Sequence, residues 1–424
     1  MNRYAPAMRP ALFAALLLLG WLAGCTAGPS LPAEDHPSPP LLLISIDGFR
    51  ADYLERYAPP TLTALAREGV RAQALIPVFP TLTFPNHYTI VTGLYPDHHG
   101  IVANTMFDST LGWFRLSDRD AVSDGRWWHE GEPIWVTAER QGLRTATYFW
   151  PGSEAEIRGY RPTYWVPYDG SIPGETRVRQ VLEWLDLPDS LRPRFLTLYF
   201  SEVDHAGHEH GPDAPEVAEA VQRVDSYLQR LVEGLKARRL FDHINIMIVS
   251  DHGMTATSRE RVIFLDDYIS LDDVQVVNWS PVLMLTPRPG RFERVLQALQ
   301  QAHPHLHVYR KEALPDHLHY STHRRIPPIV GLADEGWMIT SRERFERQQH
   351  RFPLGMHGYD PTLPSMRGIL IAHGPAFARG LVVPPVANVH LYALMCHLLG
   401  LTPAANDGSL EAVEHLLSPE TITY

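Results

Sequence analysis

The 424-residue chain has only two cysteines, which excludes a disulfide framework as the source of its stability. It has no long basic run, and its net charge is −11, which excludes the electrostatic footprint of a long nucleic-acid partner. A small anionic ligand stays open, because a bound metal reverses local charge. Its N-terminal apolar run, Ala11–Ala23, is shorter than the about 20 residues that a membrane-spanning helix needs. What the chain does have is an ordinary globular apolar fraction of 45% and an unusually large set of 22 histidines, whose positions must decide their meaning.

The N-terminus reads as a targeting segment. Arg3 and Arg9 precede the apolar run, as in a signal peptide over 1–24. The run ends in LAGC, Leu22–Cys25, which resembles a bacterial lipoprotein signal. That resemblance implies cleavage before Cys25, acylation of its thiol and export to the periplasmic or cell-surface side of a bacterial membrane; the alternative is plain secretion. The Pro-, Ser- and Ala-rich stretch over 25–40 reads as a flexible tether. Cys396 falls in the apolar helical pattern VHLYALMCHLLG and is expected as a buried thiol.

From residue 41 onward, continuous apolar runs end in a polar residue and a glycine or loop. LLLISIDG ends at Asp47, RFLTLYFSEVD leads to Asp204, INIMIVSDHG ends at Asp251 and His252, and GILIAHG ends at His373. Continuous rather than alternating runs suit strands covered on both faces. Between them lie helical patterns, the clearest being Val217, Val221, Val224, Leu228, Leu231 and Leu235 at steps of three and four. The alternation predicts an α/β fold: a doubly wound, mostly parallel sheet with helices on both faces, in a single catalytic domain over 41–424. The less regular stretch 257–355 is expected as a small inserted lobe or cap. Ligands of such sheets bind at the carboxyl ends of the strands, where Asp47, Asp204, Asp251 and His252 fall.

A lone Asp at a strand end is ordinarily a helix cap or turn residue, and a lone His an ordinary surface or core residue. Six such residues at one sheet edge, Asp47, Asp204, His208, Asp251, His252 and His357, instead suit metal ligation by carboxylates and imidazoles. The segments SIDGFR, TLTFPNHYTIVTGLYPDHHGIVANTMFD, SEVDHAGHEHGP, VSDHGM and HGYD together resemble the nucleotide pyrophosphatase/phosphodiesterase family of the alkaline phosphatase superfamily, in a compact bacterial form. The resemblance implies an alkaline phosphatase-like fold and two zinc ions. Asp47, Thr83, Asp251 and His252 would hold one, and Asp204, His208 and His357 the other. It also implies Thr83 as nucleophile, with zinc favouring its alkoxide, and Asn104 as a donor to a phosphate oxygen.

Thr83 stands in FPTLTFPNHYTIVTG, where Pro85 suits a first helical turn and places Thr83 just before a helix N-terminus. From local sequence alone it reads as an ordinary capping hydroxyl, and the surrounding ligand set and the family resemblance reverse that. Phe84 and Tyr199 match positions that sandwich a nucleobase in relatives, although Tyr199 also reads as a core residue at its strand end. Tyr168, in YWVPYDGSIPG, is expected along the same cleft. The expected partner is a small nucleotide or phosphodiester, with any membrane contact confined to the lipid anchor. Three alternatives remain: a relative acting on glycerophosphodiesters or lysophospholipids, one acting on phosphomonoesters or phosphonates, or a non-enzymatic, lipid-anchored zinc-binding protein. Arg50 is the cation nearest the motifs that a monoesterase would recruit.

Overall fold

The structure is a computed structural model that describes residues 38–422. The signal peptide, Cys25 and nearly all of the expected tether lie outside the described residues. The frame is an eight-stranded sheet: β1 (Leu41–Ile46), β2 (Val70–Ala72), β3 (Thr145–Tyr148), β4 (Tyr164–Val166), β5 (Phe195–Phe200), β6 (Asn245–Val249), β7 (Leu370–His373) and β8 (Leu381–Val383). Their spatial order is β8-β2-β7-β6-β1-β5-β3-β4. The five strands from β6 to β4 are mutually parallel, and β7 joins antiparallel to both β6 and β2. The reversal carries His373 away from the edge where β1, β5 and β6 end, and its ring stacks on Phe241 instead.

Both faces of the sheet are covered, which explains the uninterrupted apolar runs. Leu41 and Leu43 of β1 enter one core and Leu42, Ile44 and Ile46 the other. The first core receives helices α2 (Thr83–Thr92), α3 (Ile134–Arg140) and α7 (Leu391–Leu399), with Cys396 buried among them. The second receives α1 (Pro60–Glu68), α4 (Gly174–Leu185) and α6 (Pro215–Ala237). All six apolar positions of the α6 stripe are buried. Helix α5 (Glu202–His210) follows β5 directly.

Within 257–355 the chain builds a four-stranded antiparallel sheet in the order Val274–Asn278, Val282–Pro287, Ile329–Ala333, Leu306–Arg310, with a third core of its own. A two-stranded antiparallel ladder, Thr255–Ala256 against Gly355–Met356, closes the base of this excursion. That ladder brings Asp251 and His252, before it, and His357, after it, to one place although about a hundred residues separate them in sequence.

Candidate metal centre and substrate cleft

At the end of β1 the chain must turn sharply past α5. Gly48 does so with a φ of +68°, and a Cβ there would come within 2.8 Å of the Asp204 Cα. The close approach lets the Asp204 backbone N–H donate to the Asp47 carbonyl at 3.1 Å. Asp204 and His208 sit one turn apart on α5, so both point to the same side, with Oδ1 and Nε2 3.4 Å apart.

Two groups of polar atoms converge. In the first, His252 Nε2 lies 3.0 Å from Asp251 Oδ2, 3.4 Å from Asp47 Oδ1 and 3.4 Å from Thr83 Oγ1. In the second, His357 Nε2 lies 3.1 Å from His208 Nε2 and 3.6 Å from Asp204 Oδ1. Ligands on a tetrahedral ion with bonds of about 2 Å stand about 3.3 Å apart, so both sets have the spacing that a shared cation imposes. The imidazoles of His252 and His357 stack at 3.5 Å, placing the two sets side by side.

The hydrogen bonds around these residues test the fit. Each of the three histidines has its Nδ1 against a backbone carbonyl: His208 on Gly355 at 2.8 Å, His252 on Gly253 at 2.9 Å and His357 on Thr81 at 2.8 Å. Donation from Nδ1–H fixes the tautomer and turns Nε2, as an acceptor, toward the centre. Among the described residues, Asp47 Oδ1, Asp204 Oδ1 and Asp251 Oδ2 are buried without a hydrogen bond. Buried carboxylate oxygens are rarely left so, and these three are the atoms that converge. Burial, followed by the charges of Asp251 and Asp204, holds the Asp47 carboxyl well above its usual range. Burial pushes the Asp251 carboxyl the same way, but His252 and His87 outweigh it and draw it well below. Burial also opposes the His252 charge, yet Asp251 and Asp47 carry that imidazole up to about 10. A divalent cation answers all three imbalances.

The cleft beside this centre has a volume of about 530 Å³ and is lined by Thr83, Phe84, Asn104, Tyr168 and Tyr199 among others. Asn104 Oδ1 accepts the Phe84 backbone N–H at 2.9 Å, which fixes the amide plane and commits its oxygen, leaving the NH₂ as the group able to donate. Phe84 rests against Phe114 and Trp128, with centroids 5.9 Å away in both cases.

The type I phosphodiesterase/nucleotide pyrophosphatase family model matches residues 41–360. The chain belongs to that family. It is similar to human ectonucleotide pyrophosphatase/phosphodiesterase family member 5, at 39% identity over 387 residues, 91% of this chain and 80% of the relative. It is also similar to human bis(5'-adenosyl)-triphosphatase, at 40% identity over 405 residues, 95% of this chain and 87% of the relative. A solved structure of murine ectonucleotide pyrophosphatase/phosphodiesterase 5, an inactive threonine-to-alanine form in complex with AMP, superimposes with a TM-score of 0.85 at 40% identity, covering 90% of this chain and 100% of that one.

Several phosphodiesterase-family expectations take a different form in three dimensions. Thr83 is the first residue of α2 rather than the residue before it; the cap position is Leu82, and no side chain caps the helix. The capping reading of the Thr83 hydroxyl therefore fails, because that oxygen faces His252 instead. Tyr199 is not an exposed stacking wall: it is only 8% exposed, and its hydroxyl donates to Asp47 Oδ2 at 2.6 Å. Strand β5 lies beside β1, so a tyrosine near its end reaches the carboxylate that ends β1. Tyr168 is 40% exposed at the cleft, with its ring edge-on to Phe149 and Tyr199.

Sequence reasoning missed the residues that hold these groups in place. Asn86 Oδ1 accepts from the Val78 backbone N–H, and its Nδ2 donates to the carbonyls of Val78, Pro80 and Leu82, locking the loop before Thr83. Thr81 ties that loop to the His357 loop, donating to Tyr359 O and accepting from Gly358 N–H. His87, one turn beyond Thr83, lies 3.3 Å from Asp251 Oδ2 and so resembles a further ligand. Both of its nitrogens are occupied, Nδ1 on Thr83 O and Nε2 on Ser45 Oγ, each at 2.8 Å, so it braces the threonine. The step of four from Thr83 to His87 in a helical pattern was the available signal.

Proposed function

We propose that this chain is a two-zinc phosphodiesterase/pyrophosphatase that splits nucleotides at a phosphodiester or pyrophosphate bond and releases a nucleoside monophosphate. The observation that carries this reading is the set of three buried carboxylate oxygens that make no hydrogen bond and face the Nε2 atoms of three histidines, next to the Thr83 hydroxyl, which caps no helix. In this reading Asp47, Thr83, Asp251 and His252 take one ion, and Asp204, His208 and His357 the other. The mixed Asp/His set suits zinc. Bound there, the ions supply Lewis acidity that favours the alkoxide form of Thr83 at neutral pH and offset charge on phosphate oxygens.

The chain's own groups do the rest. His87 and Asn86 hold the first turn of α2 so that Thr83 Oγ1 projects into the cleft. That oxygen bonds to phosphorus as the bond to the leaving oxygen on the far side breaks, and its proton passes to solvent. Water then cleaves the phosphothreonine ester, restoring the hydroxyl and freeing the monophosphate. The Asn104 NH₂ donates to a nonbridging oxygen where charge develops. Phe84 and Tyr168 offer aromatic surface to a base, and every base has a face that can stack. The AMP complex of the murine relative and its inactive threonine-to-alanine form support a threonine-dependent nucleotide reaction.

A diester is favoured over a monoester by what lines the cleft. A monoester carries one more negative charge, and the cleft's arginines are engaged: Arg119 with Glu154, and Arg177 with the carbonyls of Ile172 and Tyr199. Arg50, the cation expected nearest the motifs, pairs with Asp52 and donates to Met254 O. The LAGC motif supports a compact bacterial lipoprotein, exported and anchored through Cys25, with 41–424 as its catalytic domain.

The test is hydrolysis of the p-nitrophenyl ester of AMP. The zinc-loaded protein turns it over, and Thr83→Ala lowers kcat by about 10,000-fold while leaving the fold intact. No turnover by the loaded wild type, or full activity in Thr83→Ala, defeats the proposal.

A further inference from the structure

A second cavity, of about 510 Å³, opens where two separately packed parts of the chain meet. One wall is the antiparallel hairpin of Thr105–Asp108 and Gly112–Arg115, whose Phe107, Trp113 and Phe114 pack into the first core. The other wall is the inserted lobe: the strands Val274–Asn278 and Met338–Thr340 and the helix Arg342–Gln348, with Val276 and Trp279 against the third core. Small ligands bind preferentially at such joints. This cavity shares no lining residue with the catalytic cleft.

Its lining carries a charge that no neighbour answers. The whole chain is at −11, yet Arg115, Arg344 and Arg351 line the cavity and no carboxylate does. Arg344 shows the contrast within one helix. Arg342 and Arg347 on the same helix pair with Asp267 and Glu343. Half-buried Arg344 has no ion pair among the described residues, and its guanidinium lies 5.7 Å from the Trp279 ring. Burial disfavours its charge, and Arg347 adds to the penalty. Arg115 repeats the arrangement on the hairpin wall, 4.9 Å from the Trp113 ring and likewise without a carboxylate. Each wall therefore offers a guanidinium over a half-buried indole. The guanidinium fork suits a carboxylate or sulfonate, and the indole and guanidinium faces suit a flat ring. Phe345 and Phe352, edge-on to each other at 5.9 Å, add apolar surface.

We infer that this cavity is a second, non-catalytic binding site for a small aromatic acid, a flat ring bearing a carboxylate or sulfonate, with the acid group on Arg344 and Arg115 and the ring against Trp279 or Trp113. The site uses none of the residues of the metal centre and does not depend on the phosphodiesterase reading. A ligand there touches the hairpin and the inserted lobe at once. It binds only where the two are packed together, so it stabilises the folded chain.

The experiment is calorimetric titration of the zinc-loaded protein with two probes of nearly the same shape, indole-3-acetate and the uncharged indole-3-acetamide. The wild type binds the acid about 10-fold more tightly than the amide, the difference expected of one charge-assisted contact. Arg344→Ala removes that preference, while Trp279→Ala weakens both probes. The acid also raises the melting temperature of the wild type more than the amide does at equal concentration. Should Arg344→Ala fail to fold, Arg115→Ala carries the same comparison on the hairpin wall. Equal affinity of the wild type for acid and amide overturns the inference, and so does a preference for the acid that survives the arginine substitutions.

Discussion

Two buried charge clusters in this molecule have opposite character. One lies under the Gly100 loop. Arg325 is fully buried there, donating to Asp108 at 2.9 Å and to the carbonyls of Gly100 and Trp127, with its remaining nitrogen 3.3 Å from Glu130, which also takes His323 and Arg324. Opposite charges answer one another, so burial's upward push on Asp108 is overcome by its bond to Arg325, and its carboxyl falls to about 2. The other cluster is the candidate metal centre. There three carboxylates crowd together with oxygens that no hydrogen bond satisfies, and Asp47 is driven the other way. The same residue type shifts down where an arginine faces it, as at Asp108, and up where burial and neighbouring carboxylates do, as at Asp47. The first cluster sets arginines against its carboxylates, although Arg325 Nη2 and Glu130 Oε1 make no hydrogen bond, whereas the second gathers three carboxylates with no arginine or lysine paired to them.

The largest expected effect breaks the arginine cluster. Arg325→Met leaves Asp108 and Glu130 without their buried partner and should cost about 3–5 kcal/mol, read as a lower midpoint in urea. Zinc should not restore it. A variant as stable as the wild type would mean that the cluster contributes little.

The difference between the clusters also explains how much could be read from sequence. The frame was legible, because β1, β5 and β6 are continuous apolar runs and the α6 stripe repeats at helical spacing. The residues that converge on the candidate centre were legible because glycines and strand ends punctuate them, and because five motifs match one family in order. Arg325 and Asp108 stand 217 positions apart and carry no such punctuation, so nothing in the sequence pairs them. Tyr199 shows the same limit. Its place at a strand end was readable, but its bond to Asp47 depends on β5 lying beside β1, which is a fact of topology. The antiparallel turn of β7, which sends His373 to the far edge, was hidden for the same reason. His87 was hidden by its motif, where the more conspicuous threonine drew the reading.

A middle-sized effect tests that tyrosine. Tyr199→Phe keeps the ring and removes only the bond that holds Asp47 Oδ2. Outer contacts to metal ligands typically contribute 10- to 100-fold in affinity or activity. Zinc affinity, measured by competition with a chelator, should fall by about that much, with the melting temperature of the metal-free protein nearly unchanged. A variant that binds zinc normally but loses affinity for AMP would return Tyr199 to the substrate wall first expected of it.

The smallest effect has the most informative sign. Asp47→Asn removes one of three mutually repelling carboxylates while keeping an oxygen to accept from Tyr199. In the metal-free protein it should raise stability by about 1 kcal/mol, because burial and the neighbouring carboxylates of Asp251 and Asp204 oppose a charge at Asp47 more than they oppose a neutral amide. In saturating zinc the order should reverse, because the wild type gains more from a cation that binds only the folded state. Denaturation curves in chelator and in zinc give both numbers. If Asp47→Asn destabilises the metal-free protein as well, the carboxylate is already satisfied without a cation, and the contrast between the two clusters collapses.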